Sequence, residues 1–183
     1  MRAASSSPLI DSALEVRFEP LDLSRLGAVL QVEQRAYAHA WTRGNFQDGL
    51  RAGYHMRVLV AGEGEAETLL GYYVAMEGVA EVHLLNITVA PQYQGQGWAR
   101  LMLDALVLWA RSLSAQLPIE QIWLEVRASN ARAIHVYEAH GYRRVGVRKD
   151  YYPDGRGRED AVVMNLLLAA PAPESGQPAS RSL

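Results

Sequence analysis

Apolar and polar residues alternate over 14–19 (LEVRFE), the period of a half-buried strand. The period then lengthens. From Asp22, placed to cap it, a helix is predicted to about Ala38, with Leu26, Val29, Leu30 and Val32 on one side. A short helix is predicted over 45–52. Strand patterns return over 55–61, 69–76 and 81–89, the last ended by Pro91. The spacing predicts a helix over 97–114 whose Leu101, Leu103, Leu106, Val107 and Ala110 can pack inward. A strand rich in branched and aromatic residues follows over 121–127, then a helix over 130–140, capped by Ser129 or Asn130 and stopped by Gly141. The segments 142–150 and 158–168 read as a closing hairpin around the turn PDGRG.

This order predicts a mixed α/β fold, a mostly antiparallel sheet with helices on both faces. No linker or repeat divides it, so a single domain is expected over 14–168. The flanking segments 1–13 and 169–183 lack hydrophobic periodicity and are expected to be disordered tails.

Composition narrows the classes of function. The 183 residues are 49% hydrophobic and 21% charged, which suits an ordinary globular chain. A formal net charge of −2 supplies no global attraction for nucleic acid or membrane, so neither is expected as a partner. The absence of cysteine excludes disulfides, thiolate metal sites and a cysteine nucleophile, and fits a reducing cytoplasm. The start, MRAASSSPLI, lacks the apolar stretch of a signal peptide. The longest apolar run, around 161–170, contains Asn165 and is too short to span a bilayer. A cytoplasmic monomer is expected. His39, His55, His83, His135 and His140 show no metal-ligand spacing, and no metal is expected.

The chemistry concentrates in NITVAPQYQGQGWARLML (86–103), where a strand hands over to a helix through Gly95 and Gly97. These glycines can simply supply backbone angles closed to other residues. A dinucleotide fingerprint fails because its third glycine position is Arg100, and a P-loop fails for want of Lys followed by Ser or Thr. The remaining reading is a cradle for a diphosphate. Helix-start amides lack intrahelical partners and carry the positive end of the dipole, the glycines have no Cβ to hold phosphates off, and Arg100 can add charge.

The run Gln94, Gly95, Gln96, Gly97, Trp98, Ala99 fits the acyl-CoA signature of the GNAT superfamily of N-acetyltransferases: Gln or Arg, two free positions, Gly, one free position, Gly or Ala. WLEVRASNARAIHVYEAHGY, YYPDGRGREDAVVM and VEQRAYAHAW extend the likeness across 14–168. Together they resemble the bacterial RimI group, which acetylates the N-terminal alanine of a small-subunit ribosomal protein. The chain departs from that group at Trp98, where a smaller aliphatic residue is usual, and at Ala99, where glycine is. It also has a longer segment between the long helix and the next strand.

The resemblance implies a GNAT acyl-CoA N-acyltransferase fold, with acetyl-CoA as co-substrate and no metal. It implies that the strand at 86–89 splays from its neighbour at 123–126. Pantetheine would fill that gap against the backbone of Ile87, Thr88 and Val89, with the pyrophosphate on Gly95, Gln96, Gly97, Trp98, Ala99 and Arg100. Asn130 can be a helix cap alone, and the resemblance adds a coenzyme contact. Glu125 is a carboxylate in an apolar strand. Its residue type admits a surface residue paired with a neighbouring arginine, and the resemblance makes it the general base. Tyr137 reads as a core tyrosine from spacing, and the resemblance makes it the acid that returns a proton to the leaving thiolate.

The energetics favour an N-terminal amine as acceptor. Its reference pKa is about 7.7–8.0 against about 10.4 for lysine, which makes deprotonation easier by roughly 3.4 kcal/mol. Glu81 offers a second carboxylate that can assist through water, and Glu33 is expected to line the peptide channel or join a salt bridge. Tyr151 and Tyr152 offer an aromatic wall over the substrate, or paired residues at a sheet edge. Arg143, Arg144, Arg148 and Lys149 form a local basic cluster, read as a solvated face or as charge on the coenzyme's side. Two other readings stay open: a GNAT enzyme for another protein terminus or a small amine, and an acyl-CoA-binding module without catalysis. The presence of both Glu125 and Tyr137 argues against the second.

Overall fold

The strand patterns all enter one sheet. In the computed structural model, which describes residues 15–113, 119–155 and 157–168, its strands are β1 (Val16–Pro20), β2 (His55–Ala61), β3 (Thr68–Glu77), β4 (Glu81–Val89), β5 (Gln121–Arg127), β6 (Arg143–Asp154) and β7 (Gly157–Leu167). The predicted tails 1–13 and 169–183 lie outside the described residues. The spatial order is β1-β2-β3-β4-β5-β7-β6. Every neighbouring pair is antiparallel except β4 and β5. That parallel step is made by the crossover helix α3 (Trp98–Ser112), since a tight turn cannot join parallel strands.

Helices cover both faces, each by an apolar stripe. On one face α3 and α4 (Ala131–Ala139) bury Met102, Leu103, Leu106, Ile134 and Tyr137 against Leu84, Ile122, Leu124 and Met164. On the other, α1 (Leu26–Ala36) and α2 (Arg43–Arg51) bury Leu26, Val29 and Phe46 against Val58, Tyr72 and Val74. A fully buried side chain of this size contributes about 1.5–3 kcal/mol, so these two layers hold the sheet from both sides.

Two helix starts differ from the prediction. The Asp22 carboxylate accepts from the Ser24 amide at 2.9 Å and the Arg25 amide at 3.2 Å. It therefore closes a turn ahead of α1, which begins at Leu26 with no side-chain cap. α2 starts at Arg43 because Thr42 and Asn45 form a reciprocal capping box, with Asn45 in the place where Glu or Gln is usual.

One irregularity shapes the centre of the sheet. The β3–β4 register steps from Val74↔Asn86 to Ala75↔Leu84, so Leu85 is an extra residue. Leu84 packs with the α3 layer, Leu85 with the α1 layer, and Ile87 with the α3 layer again. A bulge bends its strand, and here the bend falls directly after Leu84, the last β4 residue paired with β5. Beyond the pair Leu84↔Leu124 the two parallel strands part. The splay implied by the family resemblance is thus present, and it begins past Leu124, where the bulge at Leu85 bends β4, rather than at Trp123.

Candidate active site

The parted strands open a cavity of about 570 Å³. Its walls are Ile87, Thr88 and Val89 from β4, the glycine junction, the first turns of α3 and α4, and Ala36 and Tyr37 at the end of α1. Of the residues predicted to hold the coenzyme, Ile87, Thr88, Val89, Gly95, Gly97, Trp98, Ala99, Arg100 and Asn130 all line it, as does Tyr137. Gln96 does not. Its side chain instead accepts a hydrogen bond from the Trp98 indole at 3.3 Å.

The glycine junction has the features of an anion cradle. Gly95 and Gly97 have φ of +83° and +88°, a region that costs an L-residue roughly 1–2 kcal/mol. A Cβ on Gly97 would meet nothing within 4 Å, so the backbone angle rather than crowding demands glycine there. The first helical bond of α3 runs from the Leu101 amide to the Gly97 carbonyl at 3.2 Å, and no side chain caps the helix. The amides of Trp98, Ala99 and Arg100 therefore precede the intrahelical ladder and are available to an oxyanion.

Three residues not among those expected to hold the coenzyme complete this corner. Gln94 donates to the Val89 carbonyl at 3.2 Å and accepts from Arg132 Nη1 at 3.0 Å, tying the end of β4 to α4. Arg132 brings a second cation beside Gly95, its Nη2 lying 3.6 Å from where a Cβ on that glycine would stand. Tyr37, at the C-cap of α1, places its hydroxyl 3.1 Å from the Thr88 hydroxyl and 3.3 Å from the Ile87 carbonyl. Gln94 opens the acyl-CoA signature itself and so carried a signal. Arg132 reads as an exposed helix residue, and only the fold brings it here.

Asn130 caps α4 by accepting from the Ala133 amide at 3.1 Å, and it also lines the cavity. Tyr137 is buried, with its edge in the cavity. Burial, with smaller contributions from Tyr37, Tyr142 and Tyr152, pushes its hydroxyl far above the ordinary tyrosine range. The phenol is therefore protonated at any working pH.

Glu125 stands outside the cavity lining. Ile122, Leu124 and Val126 of β5 face the α3 layer, so alternation turns Glu125 to the opposite side. It is the first β5 residue past the pair Leu84↔Leu124, at the apex of the splay. Arg148 Nη2 lies 3.2 Å from its carboxylate, the arginine pairing that its residue type admitted. Tyr152 donates to the Glu125 carbonyl at 3.1 Å and lies under the Arg127 guanidinium, 4.6 Å from the ring centre. Burial, then the Glu125 carboxylate, pushes the Tyr152 hydroxyl up to about 12.

The approach to Glu125 is held by a second irregularity. Between Arg148↔Ala161 and Tyr152↔Glu159 the β6 strand carries three residues against one, with Asp150 at φ +51°. Asp160 fills the turn, accepting from Lys149 Nζ at 2.9 Å and from the Asp150 amide at 3.0 Å. The basic face predicted on β6 is thus largely paired, with Arg144 on Glu138, Arg148 on Glu125 and Lys149 on Asp160.

Two carboxylates are placed differently from expectation. Glu81 pairs with His83 at 2.8 Å, and its backbone register is with Gln121, four residues before Glu125. That is about 13 Å along the strand, too far to assist through one water. Glu33 lies outside the cavity lining and joins no salt bridge among the described residues; it is 1% exposed and hydrogen-bonded by Trp41, Tyr72 and Asn86. Among the described residues, no group of three or more His, Cys, Asp or Glu side chains is arranged to hold a metal ion. No described helix is long and apolar enough to cross a membrane.

The acetyltransferase (GNAT) family profile matches residues 26–142. The chain belongs to the GNAT acetyltransferase family. Its members are acetyl-CoA-dependent N-acetyltransferases, and this chain is an enzyme of that kind. Among GNAT relatives it is 35% identical over 151 residues to the [ribosomal protein bS18]-alanine N-acetyltransferase of Escherichia coli strain K12, covering 81% of this chain and 95% of that one. The protein of the same description from Haemophilus influenzae is 34% identical over 153 residues, covering 83% and 97%. The crystal structure of the ribosomal-protein-S18-alanine N-acetyltransferase from Escherichia coli superposes with a TM-score of 0.74 at 32% identity, over 89% of this chain and 99% of that one. Arabidopsis thaliana NAA60 in complex with acetyl-CoA shares the GNAT fold at a TM-score of 0.70 and 20% identity, covering 84% and 100%.

Proposed function

We propose that this GNAT enzyme transfers acetyl from acetyl-CoA to the N-terminal alanine amine of ribosomal protein bS18, as its relatives' names state for them. The observation that carries the mechanism is the gap beyond Leu84↔Leu124, lined from α3 and α4 and, at Ala36 and Tyr37, from the end of α1. The cavity with Tyr137 lies on the α3 and α4 side, and Glu125 projects on the other. The thioester and the amine can therefore approach from opposite faces and meet between the strands.

In this reading the glycine junction holds the pyrophosphate, and the backbone of Ile87, Thr88 and Val89 aligns the pantetheine. Glu125 takes a proton from the α-ammonium group, directly or through one water. The amine nitrogen then bonds to the thioester carbonyl carbon, the carbon–sulfur bond breaks, and the second proton the nitrogen sheds in becoming an amide neutralises the departing thiolate. The Tyr137 hydroxyl faces the departing sulfur. A free thiol has a pKa of about 8.5, so its thiolate leaves readily, and a phenol held far above that value serves better as a hydrogen-bond donor than as a full proton donor. This refines the acid role implied by the family likeness. The site of action would be the cytoplasm, where ribosomal proteins are made.

The test is initial rates with acetyl-CoA and a peptide carrying the bS18 N-terminus, beside the same peptide without its alanine and a panel of small amines. The alanine peptide is expected to be acetylated at its α-amine and to exceed the others in kcat/KM. Faster turnover of a small amine would move the assignment to another GNAT substrate class.

A further inference from the structure

Glu33 is a carboxylate 1% exposed whose hydrogen-bond donors are all neutral. The Trp41 amide donates to Oε1 at 2.7 Å, the Tyr72 hydroxyl donates to Oε2, and the Asn86 side-chain amide donates to Oε1 at 3.4 Å. An apolar side chain would fill such a site at less cost in desolvation. Its three donors come from three places: the connection between α1 and α2, strand β3, and β4 just past the bulge. From Asn86 the network continues to the cavity. The Thr88 hydroxyl donates to Asn86 Oδ1 at 2.9 Å and lies 3.1 Å from the Tyr37 hydroxyl, which reaches the Ile87 carbonyl at 3.3 Å. Tyr37, Ile87 and Thr88 all line the cavity.

We propose that Glu33 is a positioning residue for acetyl transfer. It fixes the α1–α2 connection, on the amine's side of the gap, against the β4 segment along which the thioester lies. This rests on reading the gap beyond Leu84 as the place of transfer. A carboxylate suits the task because every group converging on it is a donor. Glutamine has the same shape but makes one terminus a donor: on the Oε1 side it meets the Trp41 and Asn86 N–H groups, and on the Oε2 side it makes the Tyr72 hydroxyl accept where it now donates, so the carboxylate's common anchor is lost. Misplacing reacting groups by about 1 Å costs up to about 10²-fold in rate, whereas the glycine junction that dominates coenzyme binding lies elsewhere.

The experiment joins amide hydrogen exchange with steady-state kinetics on the full chain. In Glu33→Gln, exchange is expected to rise by about tenfold or more in both 37–42 and 86–89, because two segments share one support. With the alanine peptide, kcat should fall by about ten- to a hundredfold while the acetyl-CoA affinity holds. A rise in exchange at 37–42 alone, or a lower melting temperature at unchanged kcat, would overturn the proposal. Should Glu33→Gln fail to fold, Asn86→Ala leaves the carboxylate in place and is judged by the same exchange and kcat readouts. Wild-type protein inactive on every peptide would sink the proposed substrate, while the exchange pattern would still decide whether Glu33 couples the two walls.

Discussion

Leu84 and Leu124 are the last residues at which two parallel strands of the sheet remain paired, and Glu125 follows Leu124 directly. A one-residue bulge at Leu85 bends β4 away at that point. Cavity, candidate base and candidate donor hydroxyl are arranged around the opening that results. If Glu125 is the base, Glu125→Gln keeps its shape and removes its basicity. Turnover of the alanine peptide is then expected to fall by about 10²–10⁴-fold, with acetyl-CoA affinity unchanged in calorimetry. Unchanged turnover would remove Glu125 from the mechanism.

The cradle predicts a different signature. Gly97→Ala forces an L-residue to φ +88°, which costs about 1–2 kcal/mol and turns the first α3 amides from their present direction. A loss of that size should lower the melting temperature by about 2–8 °C and weaken acetyl-CoA binding. The variant discriminates sharply, since its Cβ would touch nothing else within 4 Å. Weaker binding can therefore come only from backbone geometry or from contact with the coenzyme itself.

Much of this was legible in the chain. The strand and helix periods placed the elements, and the family resemblance carried by Gln94 to Ala99 and by the segment holding Asn130 and Tyr137 led to residues that, Gln96 apart, line one cavity. The Leu85 bulge was not legible, because a run such as HLLNITV alternates plausibly in either register. Arg132 and Tyr37 reach the site only through packing between elements distant in sequence. Glu33 misled for a related reason. A glutamate in an amphipathic helix reads as solvent-facing or ion-paired, and nothing local announces that Tyr72 and Asn86, 39 and 53 residues away, converge on it.

Gly71 supports the coenzyme strand from below. A Cβ there would stand 2.5 Å from the Thr88 carbonyl oxygen and 3.0 Å from the Met102 Cε. The methionine can yield, but the backbone oxygen cannot without moving the edge of the cavity. Gly71→Ala is expected to cost about 1–3 kcal/mol in denaturant unfolding and to weaken acetyl-CoA binding at the same time. Lost stability with unaltered binding would separate this glycine from the site.

His55 stacks on Trp109 at 3.9 Å between ring centres and lies 3.1 Å from the Tyr73 hydroxyl. Burial, then the charge of Arg57, pushes its pKa down to about 4 from an ordinary 6.5. The unfolded chain thus takes up the proton first. The stability tied to His55 is full above about pH 6.5 and is lost as pH falls toward 4. Urea midpoints across that window should decline in the wild type and flatten in His55→Gln, which keeps an acceptor for Tyr73 and has no proton to gain. Parallel curves for the two proteins would exclude the histidine as the cause.

The most direct test of the central claim is the intact mass of bS18 purified from cells of the source organism with and without this enzyme. One acetyl group, mapped to the alanine amine, is predicted in its presence, and the unmodified terminus in its absence, with acetylation restored by wild-type enzyme and not by Glu125→Gln. The same mass in both strains would contradict the account.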